Sequence, residues 1–128
     1  MSRWYGLRDR TPFLLATLED QLTEWQRRED SLARGEDVYR VGRTVIGDNV
    51  VVSTVFLGLD HQWHPDGPPM LFETMVFTAD ESEADWVPDT ERWSTWEQAE
   101  DQHEATVRET QRRLRILLEQ KKATGFIS

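Results

Sequence analysis

The side chains best suited to chemistry lie near the middle of this chain. Asp60, His61 and His64 follow a valine-rich run, and Glu73 stands in the next apolar segment. Carboxylate and imidazole are what hard and borderline divalent metals take as ligands. Converging from separate elements, such groups could hold a metal and activate water. Asp60, His61, His64 and Glu73 are therefore the candidate metal ligands, with His103 as a remoter member. The competing reading is a polar hairpin end, with Asp60 capping the turn and both histidines solvated.

Glu73 has a second reading. With period two, Leu71, Glu73, Met75 and Phe77 share one strand face. If that face is the core, the carboxylate needs a partner such as Arg40, Arg43 or His61, or it becomes a tuned acid or base. If Phe72, Thr74 and Val76 face inward, Glu73 is a surface residue. His103 sits on an apolar helical stripe and reads as a satisfied, buried histidine. No glycine-rich phosphate cradle and no nucleophile elbow is present. The 128 residues include no cysteine, which removes disulfides and thiolate metal sites and suits a reducing compartment. No catalytic residue is assigned, and no cofactor is implied.

Two features suit binding instead. The loop 61–69 carries Trp63 and His64 among three prolines, a preorganised aromatic anchor. The formal net charge is −9, and the stretch 80–104 holds ten acidic residues against Arg92 alone, which accounts for all of it. Asp80, Glu81, Glu83, Asp85 and Trp86 open that stretch. Together with Trp63 and His64 they form the candidate partner-binding set. Such a surface could occupy a basic groove on a partner, where charge complementarity speeds encounter. It could equally be a solvated face, the usual fate of a charge run. The acidity disfavours direct binding to nucleic acid or an anionic membrane.

These residues need elements to position them. Thr11 and Pro12 look like a helix cap and first position, and Leu14, Leu18, Leu22, Trp25 and Leu32 recur at helical spacing with Glu29 among them. A helix over 12–34, ending at Gly35, is predicted. Strands follow at 38–46, 50–59 and 70–77, the first carrying Tyr39, Val41 and Val45 on one face. Gly47-Asp48-Asn49 supplies a turn, and short connections favour an antiparallel meander. The segment 78–93 reads as a long loop. Ser94-Thr95-Trp96-Glu97 reads as a capping box for a helix over 95–122 with a stripe of Trp96, Ala99, His103, Val107, Thr110, Leu114 and Leu117. Trp25, Trp93 and Trp96 read as core. The expected fold is a single α+β domain over 1–128, a three-stranded antiparallel meander packed against two helices in the order α-β-β-β-α. Double-stranded RNA-binding domains share that order. They need a basic start to the second helix, where this chain has Glu97, Glu100, Asp101 and Glu104.

The run Ser53-Thr54-Val55-Phe56-Leu57-Gly58-Leu59-Asp60-His61, with Pro68-Pro69 and Leu71-Phe72-Glu73-Thr74-Met75-Val76-Phe77, resembles a group of small uncharacterised proteins from actinobacteria and their phages. Arg92-Trp93-Ser94-Thr95-Trp96-Glu97-Gln98-Ala99 and His103 continue the likeness, which spans roughly 38–108. The resemblance implies a phage or prophage origin and carries no activity with it.

Absence of a signal-like or membrane-spanning apolar run points to the cytoplasm. The leading expectation is a non-enzymatic, phage-encoded binding protein acting on a host protein through its acidic surface and Trp-bearing loop. A small metal-dependent hydrolase or metal-binding protein is the alternative. Pairing of two copies through the amphipathic helices, giving a homodimer, is a third expectation.

Overall fold

The computed structural model describes residues 3–60, 66–79 and 85–125. The chain is α+β, with two helices and two antiparallel sheets. Strands β1 (Tyr5–Arg8) and β2 (Thr11–Leu14) form a hairpin. Helix α1 (Leu18–Ala33) follows. Strands β3 (Arg40–Ile46), β4 (Val50–Phe56), β5 (Phe72–Thr78) and β6 (Glu91–Trp93) form one sheet in that order, and helix α2 (Trp96–Ala123) closes the chain. No helix among the described residues is long and apolar enough to cross a membrane.

The expected meander is present as β3-β4-β5, but the expected element order is incomplete. Thr11 and Pro12 do not begin a helix. They pair with Arg8 and Leu7 in a two-residue hairpin, and the helix cap falls at Thr17, whose hydroxyl accepts from the Asp20 amide at 3.0 Å. A proline is tolerated there because this short sheet has a free edge. Within 78–93, Glu91–Trp93 adds a fourth strand: Arg92 pairs with Glu73 in register and Trp93 with Phe72. The capping box of α2 lies one residue later than predicted, with Thr95 as cap and Gln98 reaching back to the backbone.

Phase along β3 also differs from the alternation read from sequence. A bulge between Arg40 and Gly42 shifts the register. Tyr39 and Val41 pack on the core, whereas Val45 turns to the opposite face and is exposed. An extra residue on one strand reverses the facing of everything beyond it.

α2 lies on one face of the four-stranded sheet. Between them sit Phe56, Phe72, Trp96 and Ala99, joined at one end by Tyr39 and Leu7. Tyr39, Phe56, Phe72 and Trp96 form a run of edge-to-face rings, with centroids 4.9, 5.2 and 6.2 Å apart. Such contacts add to area burial by about 0.5–1.5 kcal/mol each. Arginines cap the run at both ends: Arg28 lies 4.5 Å from the Tyr39 ring and Arg10 lies 5.3 Å from the Trp96 ring.

α1 does not join α2 on the sheet. It is held by Glu24 to the hairpin and Tyr39, and by Trp25 to Trp4 at a 6.0 Å centroid distance. Tyr39 and Leu7 are where this subassembly meets the main core.

Candidate functional site

The helical stripe of α1 faces away from the protein. Leu18 is 67% exposed, Leu22 54% and Trp25 42%, and Leu14 and Leu32 are exposed as well. The buried residues of this helix are Glu24 and Ser31. The helical spacing holds from Leu18 onwards, with Leu14 in β2 instead, but the stripe points outward and Trp25 is exposed and not core. The cause is Glu24. Its side chain is almost wholly enclosed, and it receives both Arg27, through a contact to Oε1, and Tyr39, whose hydroxyl donates to Oε1 at 3.0 Å. Arg8 approaches Oε2 at 3.7 Å, and Arg27 also donates to the Leu7 carbonyl at 2.6 Å. Burial pushes the carboxyl up, but the bonds from Arg27 and Tyr39 and the Arg27 charge outweigh it and hold it below the ordinary 4.5. Burial and the neighbouring Glu24 charge push the Tyr39 phenol above its ordinary value. Gly6 makes room for this anchor: a Cβ there would lie 2.8 Å from the Glu24 carboxyl carbon and 2.7 Å from the Phe13 ring.

Because that anchor sets the rotation of α1, its cations Arg27 and Arg28 turn towards the protein. Its exposed face carries Glu29 within the stripe of leucines and Trp25, and Glu19 and Asp30 along one edge of it. The result is an apolar stripe with carboxylates in its middle and along one side.

A second apolar patch lies on the sheet face opposite α2. Val45 pairs with Val51 and Val51 with Phe77, so the three stand in one row. Val45 and Phe77 are exposed. Met75 lies in the next row, beside Ser53 and Arg43.

Phe72, Thr74 and Val76 face α2, and Glu73 faces the open side. Glu73 pairs with Arg92 at 3.2 Å, a cross-strand ion pair matching their register. Asp60 Oδ1 accepts the Met70 amide at 3.1 Å, and its own amide donates to the Arg3 carbonyl, so it ties the hairpin end to the N-terminal segment. Glu73 lies three positions beyond Met70, about 10 Å if fully extended. His61, His64 and Trp63 lie outside the described residues, as do Asp80, Glu81 and Glu83. Among the described residues no group of three His, Asp or Glu is placed to hold a metal. Asp85 is exposed. Trp86 is half-buried against α2, where its carbonyl accepts from Arg113 at 3.3 Å and its indole nitrogen is enclosed without a partner among the described residues.

His103 is buried under the sheet with both ring nitrogens engaged. Nε2 lies 2.9 Å from Thr44 Oγ1 and Nδ1 lies 2.8 Å from Thr54 Oγ1. Thr54 continues to Thr74 at 2.7 Å, and the Trp93 indole donates to Thr74 at 3.1 Å. This chain crosses all four strands. Its threonines sit at inward positions that β-propensity fills as readily as valine does, so sequence offers no separate signal for it. Burial lowers the His103 pKa from its ordinary 6.5, against a smaller opposing pull from Glu104. With no substrate access and every hydroxyl paired, the chain holds the sheet and α2 in register rather than performing chemistry.

Comparison with protein-family models, curated proteins and solved structures found no match.

Proposed function

We propose that this chain is a non-enzymatic binding protein that acts by docking onto another protein. One observation carries the reading: α1 presents its leucines and Trp25 to solvent while burying Glu24. An exposed apolar stripe on a small domain marks an interaction surface. Glu29 within the stripe and Glu19 and Asp30 at its edge select a partner whose apolar face carries lysine or arginine. The acidic stretch 80–104 extends that preference, and Trp63 supplies a further anchor. In its finer form the proposal is a phage-encoded protein whose partner is a basic host protein.

The test is affinity capture from actinobacterial lysate with the intact chain, a Leu18→Glu/Leu22→Glu variant and a Phe77→Ser variant. The expected result is a stoichiometric partner retained by the intact chain and by Phe77→Ser, lost by the double variant, and weakened by salt. A partner retained by the double variant, or none at low salt, overturns the reading.

A further inference from the structure

A cavity of about 500 Å³ opens between the β1–β2 turn, the start of β3 and the start of α2. That size falls within the range of small-ligand sites, roughly 300–1,000 Å³. In a chain of net charge −9, four arginines line it, Arg8, Arg10, Arg27 and Arg40, against the three carboxylates of Asp9, Asp37 and Glu100. Two are committed. Arg27 is bound to Glu24 and the Leu7 carbonyl, and Arg40 reaches Asp37 at 3.5 Å. The other two have donors to spare. Arg8 meets Glu24 only at 3.7 Å, and Arg10 has no carboxylate partner among the described residues and rests on the face of Trp96.

Two further observations fall on the same cavity. Asp9 and Arg10 both have positive φ, 49° and 69°, the left-handed region that L side chains other than asparagine and aspartate avoid. A glycine would be the unstrained choice for the second turn position. Arginine there carries backbone strain and places a guanidinium over the indole at the cavity mouth. Strain of this kind gathers at binding sites. The second observation is Asp37, a lining residue whose Oδ1 is enclosed and has no hydrogen-bond partner among the described residues. A buried acceptor without a donor is costly unless something supplies one.

We propose that this cavity binds a small oxyanion, a carboxylate or phosphate ester, that also carries an amine or hydroxyl. The guanidinium groups of Arg10 and Arg8 take the oxyanion, since their planar forks fit such groups. The Asp37 carboxylate takes the N–H or O–H, and Trp96 gives the ligand an apolar wall. The site is independent of the α1 stripe.

The test is an NMR titration of the full chain. The probes are O-phosphoethanolamine and β-alanine, which carry both groups, and inorganic phosphate and ethanolamine, which carry one each. One of the bifunctional probes is expected to shift the Leu7, Val38 and Val41 amides and the Trp96 indole, at least about tenfold more tightly than either single-group probe. Whichever of the two binds more tightly identifies the oxyanion as phosphate or carboxylate. Arg10→Gly, which suits the positive φ and keeps the turn, and Asp37→Asn are each expected to weaken binding about tenfold or more. Leu22→Glu is expected to leave it unchanged. No shift with either bifunctional probe at millimolar concentration overturns the proposal. So does equal binding of phosphate and phosphoethanolamine that is indifferent to Asp37→Asn, which would mean an adventitious ion only.

Discussion

Replacing Leu22 by serine and Glu24 by glutamine, two residues apart on α1, should rank opposite to hydropathy. Full burial of a leucine is worth about 1.5–3 kcal/mol. Leu22 is 54% exposed, so its loss should cost about 1 kcal/mol or less. Glu24 is 2% exposed and faces Arg27 and Arg8 through Oε2. A glutamine amide nitrogen placed there would set donor against donor. Breaking an enclosed ion pair costs about 3–5 kcal/mol. Arg27 keeps about a third of its side-chain exposure and regains some water, so about 2–4 kcal/mol is expected. Urea denaturation of dilute protein measures both, with unchanged slope as the check that the transition stays two-state. A Leu22→Ser loss of 2–4 kcal/mol beside a near-neutral Glu24→Gln would refute the facing of α1, because it is the signature of the stripe lying inward.

Other consequences can be measured in the same way. His103 is held neutral, its folded pKa lying below the unfolded 6.5, so its contribution to stability is complete above pH 6.5. That contribution declines as pH falls towards the folded value, by at most about 1.4 kcal/mol per pH unit; stability against pH should show this decline, and His103→Gln should flatten it. Glu24 adds a second acid-labile step, its folded pKa lying below 4.5, so its stabilisation is present above 4.5 and lost as pH falls through the folded value, a step absent in Glu24→Gln. Thr54→Val leaves His103 Nδ1 and Thr74 short of a partner in a dry site and should cost about 1–3 kcal/mol by thermal or urea unfolding. Gly6→Ala drives a methyl into Phe13 and the Glu24 carboxyl and should cost about 1–3 kcal/mol, with loss of helical circular dichroism if α1 detaches.

The parts legible in sequence are those with long, regular patterns. β4 and β5 appear where β-branched residues crowd, α2 where seven stripe residues recur, and the turn between β3 and β4 where Gly47 takes a positive φ. The N-terminal hairpin is hidden because each strand has four residues and its turn is Asp9-Arg10 instead of a glycine pair. Thr11-Pro12 meanwhile imitates a helix start. β6 has three residues and depends on its pairing with β5, a tertiary fact. The facing of α1 is the instructive case. Periodicity shows that the helix has two unlike sides, and ordinarily the oily one goes inward. Here an enclosed carboxylate with arginine and tyrosine partners overrides that preference, and nothing local to residue 24 marks it. The candidate metal ligands Asp60 and Glu73 are each engaged elsewhere, one with a backbone amide and one with Arg92.

The notch at residue 42 ties two distant positions to a common fate. A Cβ on Gly42 would stand 3.0 Å from the imidazole of His103, with residues 43–102 between them in the chain. Neither can drift alone. A larger residue at 42 would demand a smaller one at 103, and shrinking 103 would open a hole that 42 could then fill. The two positions should therefore be energetically coupled, and a double-mutant cycle over Gly42→Ala and a smaller residue at 103 should depart from additivity.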